Sequence, residues 1–379
     1  MIDPATLTDL RSSIKEEILA ERSLLEELIE DVKPLKSRQH RIAPRSSTAV
    51  AMVGTDGGNN SFVFDPFDLH IVRIVDSSRN ELFVKVLSSQ SSIDRLSKSH
   101  FDHHGRATDV VGALMEAVGV RHLRELSHML GTDSKGRAKN RGWIYDYRQI
   151  VEWAVLLSLI LQKEYGTDTL FLFDGLLRTK VFFPGIFPKI QKLIAQKFEE
   201  AKKSKRHLYL CGIAKKNKLL TRYRLAMLGQ KVLHTPYPSF VEVPPKLEKK
   251  TYAWEEFAAR SDEEIERDQP KDFVAGRLFF AKFGPKSLDP IWAVDIFDHQ
   301  KDRAPQILGH LLFDAAQGFP VPYYPLALQK AHEYAALVDF DYDLLQSQIY
   351  EAVREILHEE RDVLDIFALL DKDPAKERY

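Results

Sequence analysis

The sequence contains a single cysteine, Cys211, among its 379 residues. A lone thiol excludes an internal disulfide and a structural zinc site built from four thiolates. Cysteine usage of this kind favours a reducing compartment, so we expect a cytoplasmic protein. The N-terminus is charged and lacks the apolar core of a signal peptide, which agrees with that expectation.

Long hydrophobic runs are absent as well. Residues 155–161 are largely apolar, but a helix that spans a bilayer needs about 20 apolar residues, so no membrane partner is expected. The sequence also lacks an excess of charge of one sign, since its formal net charge is -1. Any surface that binds nucleic acid must therefore be a local basic patch.

Two apolar segments each run into an Asp-Gly pair. Residues 49–56 end at Asp56, and residues 169–174 end at Asp174, with glycine following in both cases. We predict that both segments are strands. Because a buried unpaired carboxylate is very costly, each aspartate is expected at the end of its strand, in a crevice. Two such carboxylates side by side require a cation, which is the arrangement of metal-assisted phosphoryl chemistry.

The order of the elements around these segments indicates the fold. After the strand that ends at Asp56, residues 57–60 read as a turn, and residues 62–76 and 81–88 read as two further strands of an antiparallel meander. A helix over 147–163 then precedes the strand that ends at Asp174. The other predicted elements are helices over 4–31, 186–201, 217–229, 303–317, 325–337 and 342–371, and strands over 207–213, 272–283 and 290–297.

This order predicts an α/β fold with a ribonuclease-H-like mixed sheet flanked by helices. The first and fourth strands are neighbours in such a sheet, which brings Asp56 and Asp174 together. Residues 91–146 are predicted to form a helical insertion, and helical elements are expected at both ends of the chain. We divide the chain into an N-terminal helix with a basic connector, 1–45, and a ribonuclease-H-like domain, 46–379.

Tyr324 and His332 form a second pattern. They are eight residues apart, so on one helix they lie about two turns apart on nearly the same face. Pro325 favours a helix that begins at that point. Tyr324 would then lie at the helix N-terminus, where anions such as a phosphate are favoured. The alternative on residue types alone is a packed tyrosine and a hydrogen-bonded core histidine.

Three further residues are candidates with equally open alternatives. Glu152 lies in an apolar part of the predicted helix, and it is either a metal ligand or an exposed residue beside Arg148. Lys215 follows a predicted strand, where it either contacts phosphate or is one more solvated lysine. Asp295 closes a short apolar segment in a similar way and is a secondary candidate only.

Several of these residues belong to short segments that follow one another in a particular order along the chain. The matching segments are Thr55-Asp56-Gly57-Gly58, the helix with Glu152, Phe173-Asp174-Gly175-Leu176-Leu177, Gly212-Ile213-Ala214-Lys215, Tyr324-Pro325-Leu326 and Ala331-His332. In these segments and their order the sequence resembles the NurA nuclease family. The resemblance implies a manganese-dependent DNA nuclease with a ribonuclease-H-like core, cutting as an exonuclease or endonuclease. It also implies a homodimer that processes DNA ends together with a HerA-type hexameric ATPase.

Carried over to this sequence, the family pattern makes Asp56, Glu152, Asp174 and His332 the metal ligands. Tyr324 and Lys215 complete the predicted catalytic set, and no organic cofactor is expected. Carboxylate oxygens suit Mg²⁺ or Mn²⁺, and an imidazole ligand shifts the preference to Mn²⁺, so we expect Mn²⁺ with Mg²⁺ tolerated. The chain departs from the family pattern in its longer 91–146 segment and in Ala214, where a serine is common.

Two other classes of protein are alternatives. An actin- or sugar-kinase-like ATPase shares the core, but it needs glycine-rich phosphate loops and a later Gly-Gly pair. Only Gly175 separates Asp174 from two leucines, and no Gly-Gly pair follows, which counts against this class. A non-catalytic adaptor that binds DNA or an ATPase is the other. The acidic residues argue against it, because clustered carboxylates without a cation repel one another.

Overall fold

The computed structural model describes residues 4–45, 50–64, 67–140, 142–256, 273–336 and 339–357. Nine strands within these described ranges form one mixed sheet. They are β1 (His40–Arg41), β2 (Val50–Phe64), β3 (Phe67–Asp76), β4 (Glu81–Ser88), β5 (Asp168–Asp174), β6 (Leu208–Ala214), β7 (Ser239–Glu242), β8 (Gly276–Lys282) and β9 (Ile291–Phe297). Their order across the sheet is β1-β7-β8-β9-β6-β5-β2-β3-β4.

Helices cover both faces of this sheet. They are α1 (Pro4–Ala20), α2 (Arg22–Val32), α3 (Ile93–Ser99), α4 (Val110–Val118), α5 (Leu123–Leu126), α6 (Trp143–Gln162), α7 (Ile186–Lys203), α8 (Lys218–Gly229), α9 (Pro245–Glu256), α10 (Ala304–Ala315), α11 (Leu326–Ala335) and α12 (Asp339–Leu357). Among the residues that the structure describes, no helix is both long and apolar enough to cross a membrane.

The centre of the sheet confirms the strand adjacency predicted from the sequence. Strands β2, β3 and β4 form an antiparallel meander. Strand β2 also runs parallel to β5, from the pair Val50 and Asp168 to the pair Thr55 and Phe173. Strand β5 runs parallel to β6, so the ends of β5 and β6 lie at the same edge of the sheet.

The turn predicted at residues 57–60 is wrong. Strand β2 continues through these residues to Phe64 and pairs antiparallel with β3 along its whole second half. The parallel pairing with β5 ends at Thr55 and Phe173, and beyond it β2 continues in the antiparallel meander with β3 and β4. Asp56 therefore lies where the parallel neighbour of its strand ends and not where its own strand ends. Glycine weakens the interior of a strand, but the backbone of residues 57–60 still pairs with β3.

Alternating residues of β5 divide the core between the two faces of the sheet. Phe171 and Phe173 belong to a cluster with residues of α4, α6 and α7. Leu170 and Leu172 belong to a second cluster with residues of α10 and α11. This alternation follows from the two-residue period of a strand. Strand β5 is thus buried on both faces, which explains its nearly continuous apolar sequence.

Some boundaries differ from the sequence prediction. The helix predicted over 4–31 is interrupted at Glu21, which gives α1 and α2. The short strands β1 and β7 and the helix α9 were not predicted. The helix predicted over 342–371 is present as α12 up to Leu357, and the rest of that prediction lies outside the described residues. The division of the chain into 1–45 and 46–379 stays a prediction.

Asp109 ties the helical insertion, residues 91–146, to the rest of the protein. Its Oδ1 accepts hydrogen bonds from the Val111 and Gly112 backbone amides at the start of α4. Its Oδ2 lies 2.7 Å from Nδ1 of the fully buried His100. Nε2 of His100 in turn lies 3.2 Å from the hydroxyl of Tyr147 on α6. The insertion is therefore anchored to α6 through a buried imidazole.

This imidazole makes the stability of the protein depend on pH. Burial lowers the pKa of His100, and the hydrogen bond that His100 donates to Asp109 offsets that lowering only in part. An unfolded histidine takes up a proton as the pH falls through about 6.5, whereas the folded one resists protonation. The contribution of His100 to the free energy of unfolding is therefore fully present above pH 6.5 and is lost as the pH falls towards the lowered pKa. One such histidine contributes at most about 1.4 kcal/mol per pH unit.

Urea unfolding of the wild type and of His100→Asn between pH 7.5 and 5.5 measures this contribution. We expect the pH slope of the wild type to exceed that of the variant, because asparagine does not titrate. The comparison removes the parallel contribution of His310, whose pKa burial also lowers. Equal slopes in the two proteins would contradict the prediction.

Candidate active site

Three of the predicted site residues meet at the shared edge of β5 and β6. Asp174 is the last residue of β5, and its side chain is 14% exposed. Lys215 follows β6 directly, and its Nζ lies 3.2 Å from Oδ2 of Asp174. The lysine side chain is 33% exposed, so the ion pair lies at the boundary between the core and solvent.

Tyr324 contacts the other oxygen of the same carboxylate. It lies just before α11 and is fully buried. Its hydroxyl donates to Oδ1 of Asp174 at 2.9 Å and lies 3.3 Å from the carbonyl oxygen of Ile213. The Lys215 ammonium lies 5.3 Å from the centre of the tyrosine ring, a cation–π arrangement. Each oxygen of Asp174 therefore has one partner among these side chains.

Two glycines allow the chain to make this turn. Gly175 has a φ of 137°, which side-chain-bearing residues rarely adopt. Its amide donates to the Ile213 carbonyl oxygen at 2.9 Å, which holds the end of β5 beside β6. A Cβ on Gly212 would collide with the Gly175 carbonyl oxygen. The glycines of the Asp-Gly and Gly-Ile-Ala-Lys segments are thus required by close backbone approach.

The backbone of Asp56 passes beside Asp174. Thr55 is paired with Phe173 in the parallel ladder, and Asp56 and Asp174 are the next residues of the two strands. This is the adjacency predicted from the strand order. The side chain of Asp56 lies outside the described residues, so its role stays a prediction.

No protein-family model matches the sequence, and no curated protein matches it. Solved structures do match. The NurA nuclease from Sulfolobus solfataricus is 14% identical over 95% of this chain and 98% of that chain, with a TM-score of 0.45. NurA bound to dAMP and manganese is 10% identical over 86% and 94%, with a TM-score of 0.40. NurA with manganese is 11% identical over 93% and 99%, with a TM-score of 0.42.

The chain resembles NurA nucleases in structure. At these identities the resemblance concerns the fold, and it extends over nearly the full length of both chains.

Glu152 and His332 lie on helices that cover opposite faces of the sheet. Glu152 is on α6, its side chain is 18% exposed, and its Oε1 lies 3.3 Å from Nε of Arg148. The next residue, Trp153, packs on Phe173 with ring centres 5.1 Å apart. His332 is exposed on α11, which packs against β2, β3 and β5. Both helices therefore pass close to the site, and the roles of these two residues stay predictions.

The predicted metal site depends on a residue whose side chain is outside the described set. Among the described residues, no group of three or more His, Cys, Asp or Glu side chains is placed to hold a metal ion. Asp174 is the described carboxylate at the site, and the predicted set adds Asp56 beside it. Carboxylate oxygens are the ligands that Mg²⁺ and Mn²⁺ prefer. The donor chemistry present at this edge fits a hard divalent cation.

Asp295, the secondary candidate from the sequence, is held in a buried ion pair. It lies inside β9, is fully buried, and receives two hydrogen bonds from Arg178, at 2.8 Å to Oδ2 and 2.6 Å to Oδ1. Arg178 also donates to Glu248 at 2.9 Å. Burial raises the pKa of Glu248, with Arg178 opposing that rise. Asp295 is therefore part of a buried ion pair that joins β9 to Arg178.

Proposed function

We propose that this protein is a divalent-metal-dependent DNA nuclease with a ribonuclease-H-like core. The observation that carries the proposal is the arrangement around Asp174. Its carboxylate stands at the end of β5 beside the backbone of Asp56, with the Tyr324 hydroxyl and the Lys215 ammonium on its two oxygens. The central order β4-β3-β2-β5-β6 supports the ribonuclease-H-like assignment.

Asp56, Glu152, Asp174 and His332 are the proposed ligands of the metal. Each oxygen of a carboxylate has two lone pairs, so Asp174 retains acceptor capacity beyond its bonds to Tyr324 and Lys215. A pair of bound divalent ions supplies an activated water and stabilises the departing oxygen in phosphodiester hydrolysis. We propose Mn²⁺ as the preferred ion, with Mg²⁺ tolerated, because of the imidazole of His332.

The protein's own side chains have two roles in this proposal. The Tyr324 hydroxyl holds Asp174 in one orientation, because it donates to Oδ1 from a fully buried ring. Lys215 supplies a positive charge at the same edge, where it balances Asp174 and can contact a phosphate oxygen of DNA. A fixed positive charge that faces developing negative charge stabilises the transition state.

We further propose that the protein acts on DNA ends as a homodimer, together with a HerA-type hexameric ATPase in the cytoplasm. The single cysteine, Cys211, is fully buried, and burial raises the pKa of its thiol, so it is unreactive. That agrees with a protein that needs no disulfide. The proposed partners rest on the sequence resemblance alone.

Cleavage assays test the proposal. End-labelled single- and double-stranded DNA is incubated with the wild type and with Asp56→Ala in Mn²⁺, in Mg²⁺ and in EDTA. We expect cleavage that requires the metal and is lost in the variant. No cleavage by the wild type, even with a HerA-type ATPase added, contradicts the nuclease. Nucleotide binding measured by calorimetry would then favour the ATPase class.

A further inference from the structure

The amide side chain of Gln329 forms hydrogen bonds with the backbone of the segment that carries Tyr324. Gln329 lies on α11 and is 8% exposed. Its Nε2 donates to the carbonyl oxygens of Val321 at 2.9 Å and of Tyr324 at 2.8 Å. Its Oε1 accepts a hydrogen bond from the Val321 amide at 2.8 Å. Both donors of the amide and one of its acceptor sites therefore hold residues 321–324 against the helix.

The segment that Gln329 binds is tightly packed, and its backbone has an energetically unfavourable conformation. A Cβ on Gly318 would collide with the Tyr324 carbonyl oxygen and lie 2.9 Å from Nε2 of Gln329. Tyr323 has a φ of 56°, in the left-handed region that non-glycine residues seldom adopt. Such a conformation persists only where surrounding contacts enforce it. The three hydrogen bonds of Gln329 are contacts of that kind.

A separate contact fixes the helix on which Gln329 stands. Oδ2 of Asp314, on α10, accepts a hydrogen bond from the Ala327 amide at 3.1 Å, in the first turn of α11. Burial raises the pKa of Asp314, and its hydrogen bonds to the α11 amides oppose that rise. Helix α11 is thus anchored to α10 at its start. Gln329 follows Ala327 by two residues, so it lies on the part of α11 that this contact fixes.

We propose that Gln329 is a positioning residue for Tyr324, and this inference rests on the proposed nuclease function. The Tyr324 main chain is bound by Gln329, and its hydroxyl is bound to Asp174 at 2.9 Å. A hydrogen bond weakens steeply once its distance and angle depart from the optimum. Displacement of a catalytic group by about 1 Å can cost about a hundredfold in rate. Gln329 therefore determines whether the phenol reaches the carboxylate.

A double-mutant cycle tests the proposal. Gln329→Met keeps the length of the side chain and removes all three hydrogen bonds. In Mn²⁺, we expect kcat for DNA cleavage to fall about tenfold or more with KM nearly unchanged. In a Tyr324→Phe background the same change should alter kcat less than about twofold, because the hydroxyl that it positions is already gone.

Gln300→Met is the matched control. Gln300 also clamps a backbone segment, since its Oε1 accepts from the Leu210 amide and its Nε2 donates to the Leu208 carbonyl oxygen. Those contacts are at the start of β6, away from Lys215 at its other end. We expect this control to lower thermal stability to a similar extent and to leave kcat unchanged. Equal losses of kcat from Gln329→Met with and without the Tyr324 hydroxyl would overturn the proposal.

A readout without catalysis separates this inference from the nuclease proposal. Tyrosine labelled with ¹³C at Cζ gives one resonance per residue, and Tyr324→Phe identifies that of Tyr324. We expect Gln329→Met to move this resonance and Gln300→Met to leave it in place. If the wild type does not cleave DNA, the nuclease proposal fails while the shift still decides whether Gln329 positions Tyr324. An unmoved resonance overturns the positioning role.

Discussion

Replacement of Asp174 by asparagine is expected to lower DNA cleavage by about a thousandfold or more, the scale seen when a central catalytic residue is lost. Asparagine has the shape of aspartate but not its charge, and it offers one oxygen in place of two. The Tyr324 hydroxyl can still donate to the remaining oxygen, so the tyrosine keeps its place. The variant lacks the negatively charged carboxylate that we propose as a metal ligand.

The fold should survive this replacement. The ion pair with Lys215 is partly exposed, and pairs of that kind contribute about 1 kcal/mol or less. Thermal unfolding monitored by circular dichroism should therefore give nearly the same transition for Asp174→Asn and the wild type. A variant that melts far below the wild type would show that Asp174 is structural.

Asp298→Asn provides the control for this experiment. Asp298 directly follows β9 in the same sheet, its side chain is 52% exposed, and it pairs with Arg277 at 3.5 Å. It has the chemistry of Asp174 and a similar position after a strand, but no part in the site. We expect full cleavage by Asp298→Asn. Cleavage by Asp174→Asn at the same rate would exclude the proposed role of Asp174.

The largest loss of stability is expected from Arg178→Met. Arg178 is the cation between two carboxylates, of which Asp295 is fully buried. Removal of one partner of a buried ion pair typically costs about 3–5 kcal/mol, because a desolvated charge is left behind. Urea unfolding at neutral pH should show this loss as a lower midpoint with an unchanged slope.

Two further variants make the cause specific. The double variant Arg178→Met with Asp295→Asn lacks the unpaired buried charge of Asp295. Part of the lost stability should therefore return. Arg277→Met is the matched control, since Arg277 pairs with Glu242 and Asp298 from a more exposed position on β8. It should cost about 1 kcal/mol or less. Equal losses from Arg178→Met and Arg277→Met would refute the buried-charge explanation.

The centre of the fold was predictable because its signals are local. Strand β5 reads as a strand because its residues are apolar on both faces and a glycine follows. The order of strands and helices then predicts that β2 lies beside β5, as it does. The same reasoning placed Asp56 beside Asp174 in the backbone, although more than a hundred residues separate them.

Features that depend on distant partners were not predictable. The Gly-Gly-Asn-Asn segment reads as a turn, yet it extends β2 because β3 pairs with it. The ion pair of Arg178 with Asp295 joins residues 117 positions apart, and no sequence pattern connects them. Gln329 has no motif of its own, and only its three backbone contacts reveal what it does. Strands β1 and β7 have two and four residues, too few for a period-two pattern to appear.

The contact between Lys215 and Asp174 also changes the argument against a non-catalytic protein. Clustered carboxylates repel one another when no cation lies beside them. The structure shows that Asp174 already has a positive neighbour at 3.2 Å. Acidic residues at this edge are therefore weaker evidence for metal binding than the sequence alone suggested. The cleavage assay in EDTA, rather than the charge pattern, separates the two classes.

The same ion pair means that the site supplies its own counter-ion. The ammonium of Lys215 lies beside one oxygen of Asp174, on a partly exposed side chain. Because that oxygen has a second lone pair, a metal ion can bind Asp174 while the lysine stays in place. The positive charge of Lys215 then remains at this edge, where it faces any negatively charged strand that enters.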